Sequence, residues 1–192
     1  MESKNEIRFR NDFYSDENCF LSTYHDAPFK YSLYDEKDKK LISRKFRNIE
    51  QAFQFSRFYK NPTNPKEEEE TKKVLNDILD EPSGVEVKKI GDKANRKDFR
   101  TNTLMGVGER PHWNSFITGN QEKNKLPFKY YVLFDIMFRK FSENKEAAEM
   151  LKRTKDHELI ECSNDEIFGI GKSGNGQNVY GQFLQIIRDN IS

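Results

Sequence analysis

Apolar residues recur with helical spacing in five segments of this chain, whereas strand-like character is short and rare. Each of the five segments places its apolar side chains about one helical turn apart, which is the period of an amphipathic α-helix. The predicted helices span residues 48–59, 67–81, 128–141, 145–153 and 180–191. Only residues 158–162 have the character of a strand. No internal repeat and no regular strand-helix alternation is present, so we predict an α+β fold: one predominantly helical domain with a few short strands.

Aromatic residues supply the core that this charged chain needs. A third of the 192 residues are charged, 33 basic and 32 acidic, and the mean hydropathy is −0.96, a value that leans toward disorder. Sixteen Phe, eight Tyr and one Trp oppose that tendency. We therefore expect an aromatic-rich core under a charged surface. Residues 1–19 are expected to be a polar lead-in to a domain that spans residues 20–192.

The sequence lacks the marks of several protein classes. No apolar run approaches the length of a membrane span, and the first residues contain no apolar signal core. Two cysteines, Cys19 and Cys162, are too few for a disulfide framework, and the three histidines have no metal-ligand spacing. We therefore expect a soluble cytoplasmic protein with no metal, no cofactor and no membrane partner.

Charged residues are concentrated in two regions. Residues 39–47 carry five positive charges and no acid, and residues 60–100 carry ten basic and ten acidic side chains. The ordinary interpretation of both regions is a solvated surface. The alternative for residues 39–47 is a patch that holds nucleic-acid phosphates, with an affinity that falls as salt rises.

A glycine-rich segment near the end of the sequence resembles two phosphate-binding motifs and matches neither. Residues 169–174 fit the GxGxxG pattern, and residues 171–173, Gly-Lys-Ser, resemble the end of a Walker A motif. Walker A requires a glycine where this chain has Glu166, and a dinucleotide fingerprint requires a strand-helix-strand unit that is missing here. The glycines indicate either a backbone that approaches a ligand closely or a flexible surface loop.

Glu50 is a candidate acid for a binding site. Asn48 and Gln51 predict a capped helix start, which places Glu50 in the first helical turn. Gln54 and Arg57 follow on the same line of the helix, beside its apolar face. The alternative is that Glu50 only stabilises the helix N-terminus through the helix dipole.

Several sequence blocks occur in an order that is characteristic of one family. Residues 20–29, FLSTYHDAPF, resemble an FLSNFYPSPF opening, and residues 50–54, EQAFQ, resemble an EHxFQ helix start. Trp113 resembles a tryptophan before a central helix, and residues 140–141 resemble a KF pair near the end of that helix. Residues 159–181 resemble LVExSxxDxxWGxGxxGxGxNxLG, which is the most specific block. Together these blocks, which cover most of residues 20–190, resemble the NADAR (YbiA-like) superfamily.

The chain also departs from the family pattern. Thr23 replaces the usual Asn, Arg57 the usual Lys and Phe168 the usual Trp, and residues 154–155 are Thr-Lys where Thr-Gly is usual. Segments at about 60–86 and 92–112 resemble charged insertions. Because arginine stays protonated, a mechanism that needs an amine at position 57 fails here unless Lys140 substitutes.

The resemblance implies a small α+β domain that acts on NAD, ADP-ribose or related ribosyl compounds. Some members are similar to N-glycosidases, which cleave a ribose C1–N bond. We expect ADP-ribosyl-guanine, in nucleic acid or as a nucleotide, to be the substrate, and a riboflavin-pathway intermediate is an alternative. A non-catalytic module that binds or senses an ADP-ribose-like or NAD-like nucleotide is a second hypothesis, and a partner-binding domain is a third.

The resemblance also implies roles for individual residues. Glu50 and Asp165 are the expected carboxylates, because a carboxylate near C1 stabilises the developing positive charge or activates water. Lys140 is a third catalytic candidate, as a phosphate contact or a Schiff-base amine, and a surface cation that caps the end of a helix is its alternative. Tyr24, Trp113 and Phe168 are expected to stack on a base. The full set of expected ligand-binding residues is Ser22, Tyr24, Arg57, Trp113, Phe168, Gly169, Gly171 and Asn178.

Overall fold

The structure, a computed structural model, describes residues 5–10, 18–97, 104, 106–115 and 127–191. The described residues form an α+β fold in which helices predominate, as the sequence predicts. The helices are α1 (Ile49–Phe58), α2 (Pro65–Asp80), α3 (Gly84–Ala94), α4 (Phe128–Glu143), α5 (Lys145–Arg153) and α6 (Val179–Asn190). The strands are β1 (Glu6–Phe9), β2 (Phe29–Asp35), β3 (Lys40–Phe46) and β4 (Glu158–Glu161), and a short 3-10 helix spans Cys19–Leu21.

The strands form two small pairs. β1 and β4 are parallel, with Phe9 opposite Glu161, and β2 and β3 form an antiparallel hairpin, with Phe29 opposite Phe46. Only β4 is predicted from the sequence. β1 lies inside the segment expected to be a polar lead-in, and it buries only Phe9, which is too little apolar pattern to reveal a strand. The basic stretch 39–47 contains β3, whose residues are mostly exposed.

The central helix α4 organises the core. It packs against α1, β2, α5 and α6, so it needs apolar side chains on several sides. Ile136, Met137 and Phe141 are almost completely buried. Residues from the neighbouring elements, including Phe58, Leu151 and Tyr180, complete this aromatic-rich core.

The start of α1 is fixed by its cap and by α2. The Asn48 side chain accepts a hydrogen bond from the Gln51 backbone N–H at 3.0 Å, as a capping box predicts. The reciprocal bond differs from the prediction, because the Gln51 side-chain oxygen accepts from the Arg47 N–H at 2.8 Å rather than from Asn48. The Gln51 side-chain nitrogen donates to the carbonyls of Ile78 and Leu79, near the end of α2. These bonds orient the first turn of α1, which carries Glu50.

The charged region 60–100 is largely helical and packs on α1. The predicted helix within it is confirmed as α2, whereas α3 is not predicted. Ser83 caps α3, and the buried face of α3 consists of small residues such as Val87, Gly91 and Ala94, which give a weak periodic signal. Within the described segments, no helix is long and apolar enough to cross a membrane.

Candidate functional site

A cleft of about 620 Å³ lies between α1, α3, the start of α4 and the segment after β4. Its volume lies within the range that small-ligand sites usually have. Six residues predicted from the sequence line this cleft, namely Tyr24, Glu50, Arg57, Trp113, Asp165 and Phe168. Gln54, which the sequence places on the same helical line as Glu50, also lies in the lining. Further lining residues that were not predicted include Lys88, Asp92, Glu109, Lys129 and Glu161. Glu50 is thus brought together with five of its ten expected partners.

Glu50 is a buried acid at the cleft end of α1. Only 7% of its surface is exposed, and its backbone N–H donates to the Thr23 carbonyl at 3.0 Å. Burial raises the pKa of the Glu50 carboxyl, and the hydrogen bond from Gln54 and the charge of Lys88 oppose that shift. Glu50 is therefore better suited to accepting a proton than an exposed glutamate is.

The predicted line of Glu50, Gln54 and Arg57 is a ladder of hydrogen bonds along the cleft. Gln54 Nε2 donates to Glu50 Oε1 at 2.9 Å, and Arg57 Nη1 donates to Gln54 Oε1 at 3.3 Å. The Arg57 Nε also donates to Glu109 at 3.1 Å, which holds the guanidinium in place. Since Arg57 occupies the amide oxygen of Gln54, the amide nitrogen faces Glu50. Arg57 is therefore a positioning residue for the Glu50 carboxylate.

The aromatic residues of the cleft differ in how much ring surface they present. Trp113 is 97% buried, with its ring centroid 5.1 Å from Phe53 and 6.3 Å from Phe128. Phe168 is half-buried and lies 4.8 Å from the ring of Tyr180. Tyr24 is also half-buried. It lies so close to Gly84, the first residue of α3, that a Cβ there would come within 2.8 Å of the tyrosine ring. Tyr24 and Phe168 therefore present more ring surface for a ligand than Trp113 does.

Glu161 is the main lining residue that sequence reasoning did not assign. It is the last residue of β4 and has no exposed surface. Its Oε2 accepts a hydrogen bond from the Ser163 N–H at 3.0 Å. Burial raises the pKa of the Glu161 carboxyl, and the neighbouring Ser163 opposes the shift. The available signal was an acid at the end of a buried strand, directly before a glycine-rich loop.

Tyr180 links the two buried carboxylates electrostatically. Its hydroxyl is fully buried and donates to the Leu21 carbonyl at 2.8 Å. Burial raises the pKa of Tyr180 well above its ordinary value, and the charges of Glu161 and Glu50 raise it further. Both carboxylates therefore disfavour deprotonation of the same hydroxyl.

Three residues expected to bind ligand instead contact β4 or residues of the loop that follows it. The Asn178 side chain accepts from the Glu161 N–H at 2.9 Å and donates to the Leu159 carbonyl at 2.8 Å. Gly169 lies against Glu161, where a Cβ would come within 2.2 Å of Oε2. Gly171 adopts a positive φ of 66° beside Glu166. None of these three lines the cleft, and their ligand-binding roles remain predictions.

Asp165 and Ser22 make backbone contacts. Asp165 is exposed in the cleft, and one carboxylate oxygen accepts from the N–H groups of Ile167 and Phe168, each at 2.8 Å. Ser22 is buried outside the cleft lining and accepts from the Tyr24 N–H at 3.0 Å. Both residues fix local turns, and Asp165 has its second oxygen directed away from those two bonds.

Lys140 lies in the core and is not a lining residue of the cleft. Its side chain is fully buried, and Nζ donates to the Phe20 carbonyl at 3.3 Å. Burial lowers the pKa of Lys140 from 10.5 to about 7, and the nearby Cys19 and Asp26 partly oppose this. A contact between this amine and a ligand in the cleft would require a rearrangement of α4 or of the 3-10 helix.

The described part of the chain contains no group of three or more His, Cys, Asp or Glu side chains arranged to hold a metal ion. Several polar groups of the cleft are paired with one another. Lys88 donates to Asp92 at 2.8 Å, and Asn95 donates to Glu109 at 3.2 Å. The basic strand β3 contributes no residue to the cleft lining.

Comparisons with known proteins agree with this architecture. A family model described as the NADAR domain matches residues 9–192. The fold is similar to the NMR structure of the Escherichia coli protein YbiA, with a TM-score of 0.57 and 19% sequence identity over 97% of this chain and 86% of that one. A comparison with curated proteins finds no match.

Proposed function

The chain belongs to the NADAR domain family, and on that premise we propose that it is an N-glycosidase that cleaves the ribose C1–N bond of ADP-ribosyl-guanine. The family includes N-glycosidase-like members. The observation that carries the proposal is the buried Glu50 carboxylate, which faces a nucleotide-sized cleft and is oriented by Gln54 and Arg57.

The chemistry of the bond suits this arrangement. As the C1–N bond breaks, positive charge develops on the ribose and the base nitrogen keeps the electron pair. Glu50 takes a proton from water, the water oxygen bonds to C1 as the C1–N bond breaks, and the departing nitrogen takes up a proton from solvent water. Glu50 then returns its proton to solvent, which restores the carboxylate. The raised pKa of Glu50 suits the general-base role, because a pKa closer to neutral pH makes the carboxylate a stronger base.

The remaining groups of the cleft suit an ADP-ribose-like ligand. Tyr24 and Phe168 offer half-exposed rings for stacking. Lys88 and Lys129 lie in the same lining and offer cations to a diphosphate, although Lys88 must first exchange its contact with Asp92. Because the Lys88–Asp92 contact must break first, a diphosphate binds less favourably here than it would to unpaired cations.

The test is to incubate the protein with ADP-ribosylated guanosine and to follow the release of ADP-ribose. We expect turnover by the wild type and a loss of about 100- to 10,000-fold in Glu50→Gln. Glu149→Gln is the matched control, because Glu149 is exposed on α5 and does not line the cleft. Normal turnover by Glu50→Gln would overturn the proposal. A riboflavin-pathway intermediate is assayed beside it as the alternative substrate.

The nucleic-acid form of the substrate is tested in the same assay. Lys30 and Lys45 are directly opposite on the β2–β3 hairpin, and such like-charged pairs favour an anionic partner. If ADP-ribosylated DNA is bound through this hairpin, its turnover falls steeply as salt rises, whereas turnover of the free nucleotide changes little. Equal salt dependence of the two substrates would favour the free nucleotide.

A second candidate function is a module that binds an ADP-ribose-like nucleotide without cleaving it. The observation that favours it is Arg57, which stands where the family usually has lysine and is held by Glu109 and Gln54. Arginine does not act as an amine nucleophile, and the buried Lys140 lies outside the cleft lining. Binding of ADP-ribose without turnover of any ribosyl substrate, unchanged in Glu50→Gln, would support this second function.

A further inference from the structure

One oxygen of the Glu161 carboxylate has no protein partner among the described residues. Oε2 accepts from the Ser163 N–H, whereas Oε1 is buried and makes no hydrogen bond there. A buried acceptor without a donor costs about 1–3 kcal/mol, so native structures nearly always satisfy such a group. Because Glu161 lines the cleft, a ligand in the cleft is the natural source of the missing donor.

The surroundings of Glu161 hold its carboxylate in one position. Its N–H donates to the Asn178 side chain, and its carbonyl accepts from the Ile170 N–H at 3.0 Å. Gly169 packs so closely that a Cβ there would come within 2.2 Å of Oε2 and 2.5 Å of the Glu161 carbonyl oxygen. These contacts fix the backbone of Glu161 and crowd its Oε2, so the glycine-rich loop restricts the position of the carboxylate.

The geometry of the free acceptor indicates the kind of donor that it takes. A guanine edge presents two adjacent N–H donors and engages both oxygens of a carboxylate. Here Oε2 is held by Ser163 and crowded by Gly169, so Oε1 is the one carboxylate oxygen that still lacks a bond. A single hydroxyl group meets that requirement. In an ADP-ribose-like ligand, the hydroxyl groups belong to the ribose rings.

We propose that Glu161 Oε1 is the acceptor for one ribose hydroxyl of the ligand, so that Glu161 rather than Asp165 is the second carboxylate of the site. This inference rests on the proposed function for the identity of the ligand. Asp165 differs because one of its oxygens already accepts two backbone N–H groups and its side chain is exposed. Glu161 therefore recognises the sugar, while Glu50 acts at C1.

The test measures ADP-ribose binding by calorimetry in the wild type and in Glu161→Gln. Ser163 keeps an oxygen at the Oε2 position, so the substitution places an amide nitrogen at the Oε1 position, and the ribose hydroxyl loses its charged acceptor. We expect binding to weaken at least tenfold. Glu158→Gln is the matched control, because Glu158 lies on the same strand but does not line the cleft, and its affinity should equal that of the wild type.

A second arm uses ADP-ribose analogues that each lack one ribose hydroxyl. We expect one analogue to bind the wild type at least tenfold more weakly, and to bind Glu161→Gln no more weakly than ADP-ribose does. If removing the hydroxyl and replacing Glu161 have effects that do not add, the hydroxyl and the Glu161 carboxylate are the groups that bond to each other. A wild type that binds every analogue as tightly as ADP-ribose would overturn the inference, even if Glu161→Gln failed to fold.

The outcomes separate this inference from the proposed function. Binding that depends on Glu161 without any turnover would leave the inference standing and refute the glycosidase. Turnover with unchanged binding in Glu161→Gln would refute the inference alone. A folded wild type that neither binds ADP-ribose nor releases it from guanosine would refute both.

Discussion

The two buried carboxylates of the cleft are held by different kinds of backbone. The Glu50 wall, formed by Glu50, Gln54 and Arg57, lies on one face of α1, and its contacts run between side chains one helical turn apart. The Glu161 wall, formed by Glu161 with its contacts to Ser163, Gly169 and Asn178, lies at the end of a strand and in an irregular loop. Its contacts are mainly to backbone groups.

This difference determines how each wall responds to a substitution. Side-chain contacts on a helix can shift while the helix itself stays folded, because the backbone bonds of the helix are satisfied internally. The backbone of an irregular loop has no such internal ladder, so it depends on a few side chains to satisfy its groups. We therefore expect substitutions in the Glu161 wall to destabilise the protein. Substitutions in the Glu50 wall should mainly change the orientation of its side chains.

The largest expected effect is that of Asn178→Ala on stability. The substitution leaves the Glu161 N–H and the Leu159 carbonyl without their buried partner, and it keeps a non-glycine residue at a φ of 51°. We expect the free energy of unfolding to fall by about 3–5 kcal/mol, as measured by urea denaturation. For comparison, Asn48→Ala at the start of α1 removes one helix cap and one side-chain hydrogen bond to Asp26, and it should cost only about 1–2 kcal/mol.

Asn178→Gly separates the two causes. Glycine adopts the positive φ without strain, so this variant should retain about 1–2 kcal/mol that the alanine variant loses. If Asn48→Ala destabilised the protein as much as Asn178→Ala does, the proposed contrast between the walls would be wrong.

A smaller effect is expected when a methyl group is added beside each wall. In Gly169→Ala the new Cβ meets the Glu161 carbonyl oxygen at 2.5 Å, and this backbone atom cannot easily move. We expect a loss of about 1–3 kcal/mol, measured by thermal unfolding. In Gly91→Ala the new Cβ meets the end of the flexible Gln54 side chain, and the gain in helix propensity offsets the crowding. The stability of Gly91→Ala should stay within about 0.5 kcal/mol of the wild type.

Gly174→Ala provides a third reference for this series. Gly174 has a φ of 75° and no neighbouring atom within 4 Å of a new Cβ, so only backbone strain acts there. Its expected cost is about 1 kcal/mol. An equal loss in Gly91→Ala and Gly169→Ala would show that the two walls are equally rigid.

The last expected effect concerns Lys140, which belongs to neither wall. The pKa of Lys140 is about 7 in the folded protein and 10.5 ordinarily. Between these two values Lys140 is therefore protonated in the unfolded chain and largely neutral in the folded protein. The free energy of unfolding should therefore rise with pH, by about 1 kcal/mol between pH 6 and pH 8. Below pH 6 this contribution should be constant, because Lys140 is protonated in both states.

The measurement compares the pH dependence of stability with that of Lys140→Met. His25 lies near Lys140, and burial lowers its pKa as well, so both proteins should also carry His25→Gln. The difference between them then reports on Lys140. A difference that stays flat from pH 6 to pH 8 would show that the ammonium is stabilised in the core by a contact that the structure does not provide.

The same contrast explains what the sequence could predict. Helical periodicity and a capping residue identify α1, and the 3.6-residue period then places Glu50, Gln54 and Arg57 on one line. No comparable rule gives the conformation of residues 162–178, where side chains bind backbone groups at irregular spacings. Gly169 and Asn178 were recognisable as unusual, but their contact with Glu161 depends on tertiary structure. The helix α3 escaped prediction because its packing face is built from residues as small as Gly91 and Ala94.

The parallel pairing of β1 with β4 sets an order of assembly during synthesis. β1 is translated early, but its partner β4 is translated only after α1 to α5, and β4 ends at Glu161. The hairpin and α1 to α3 are neighbours in sequence and can associate as they leave the ribosome. The edge of β1 must meanwhile remain unpaired with β4 and free of other strands. A nascent chain therefore acquires the acid expected to act at C1 before the acid proposed to recognise the sugar.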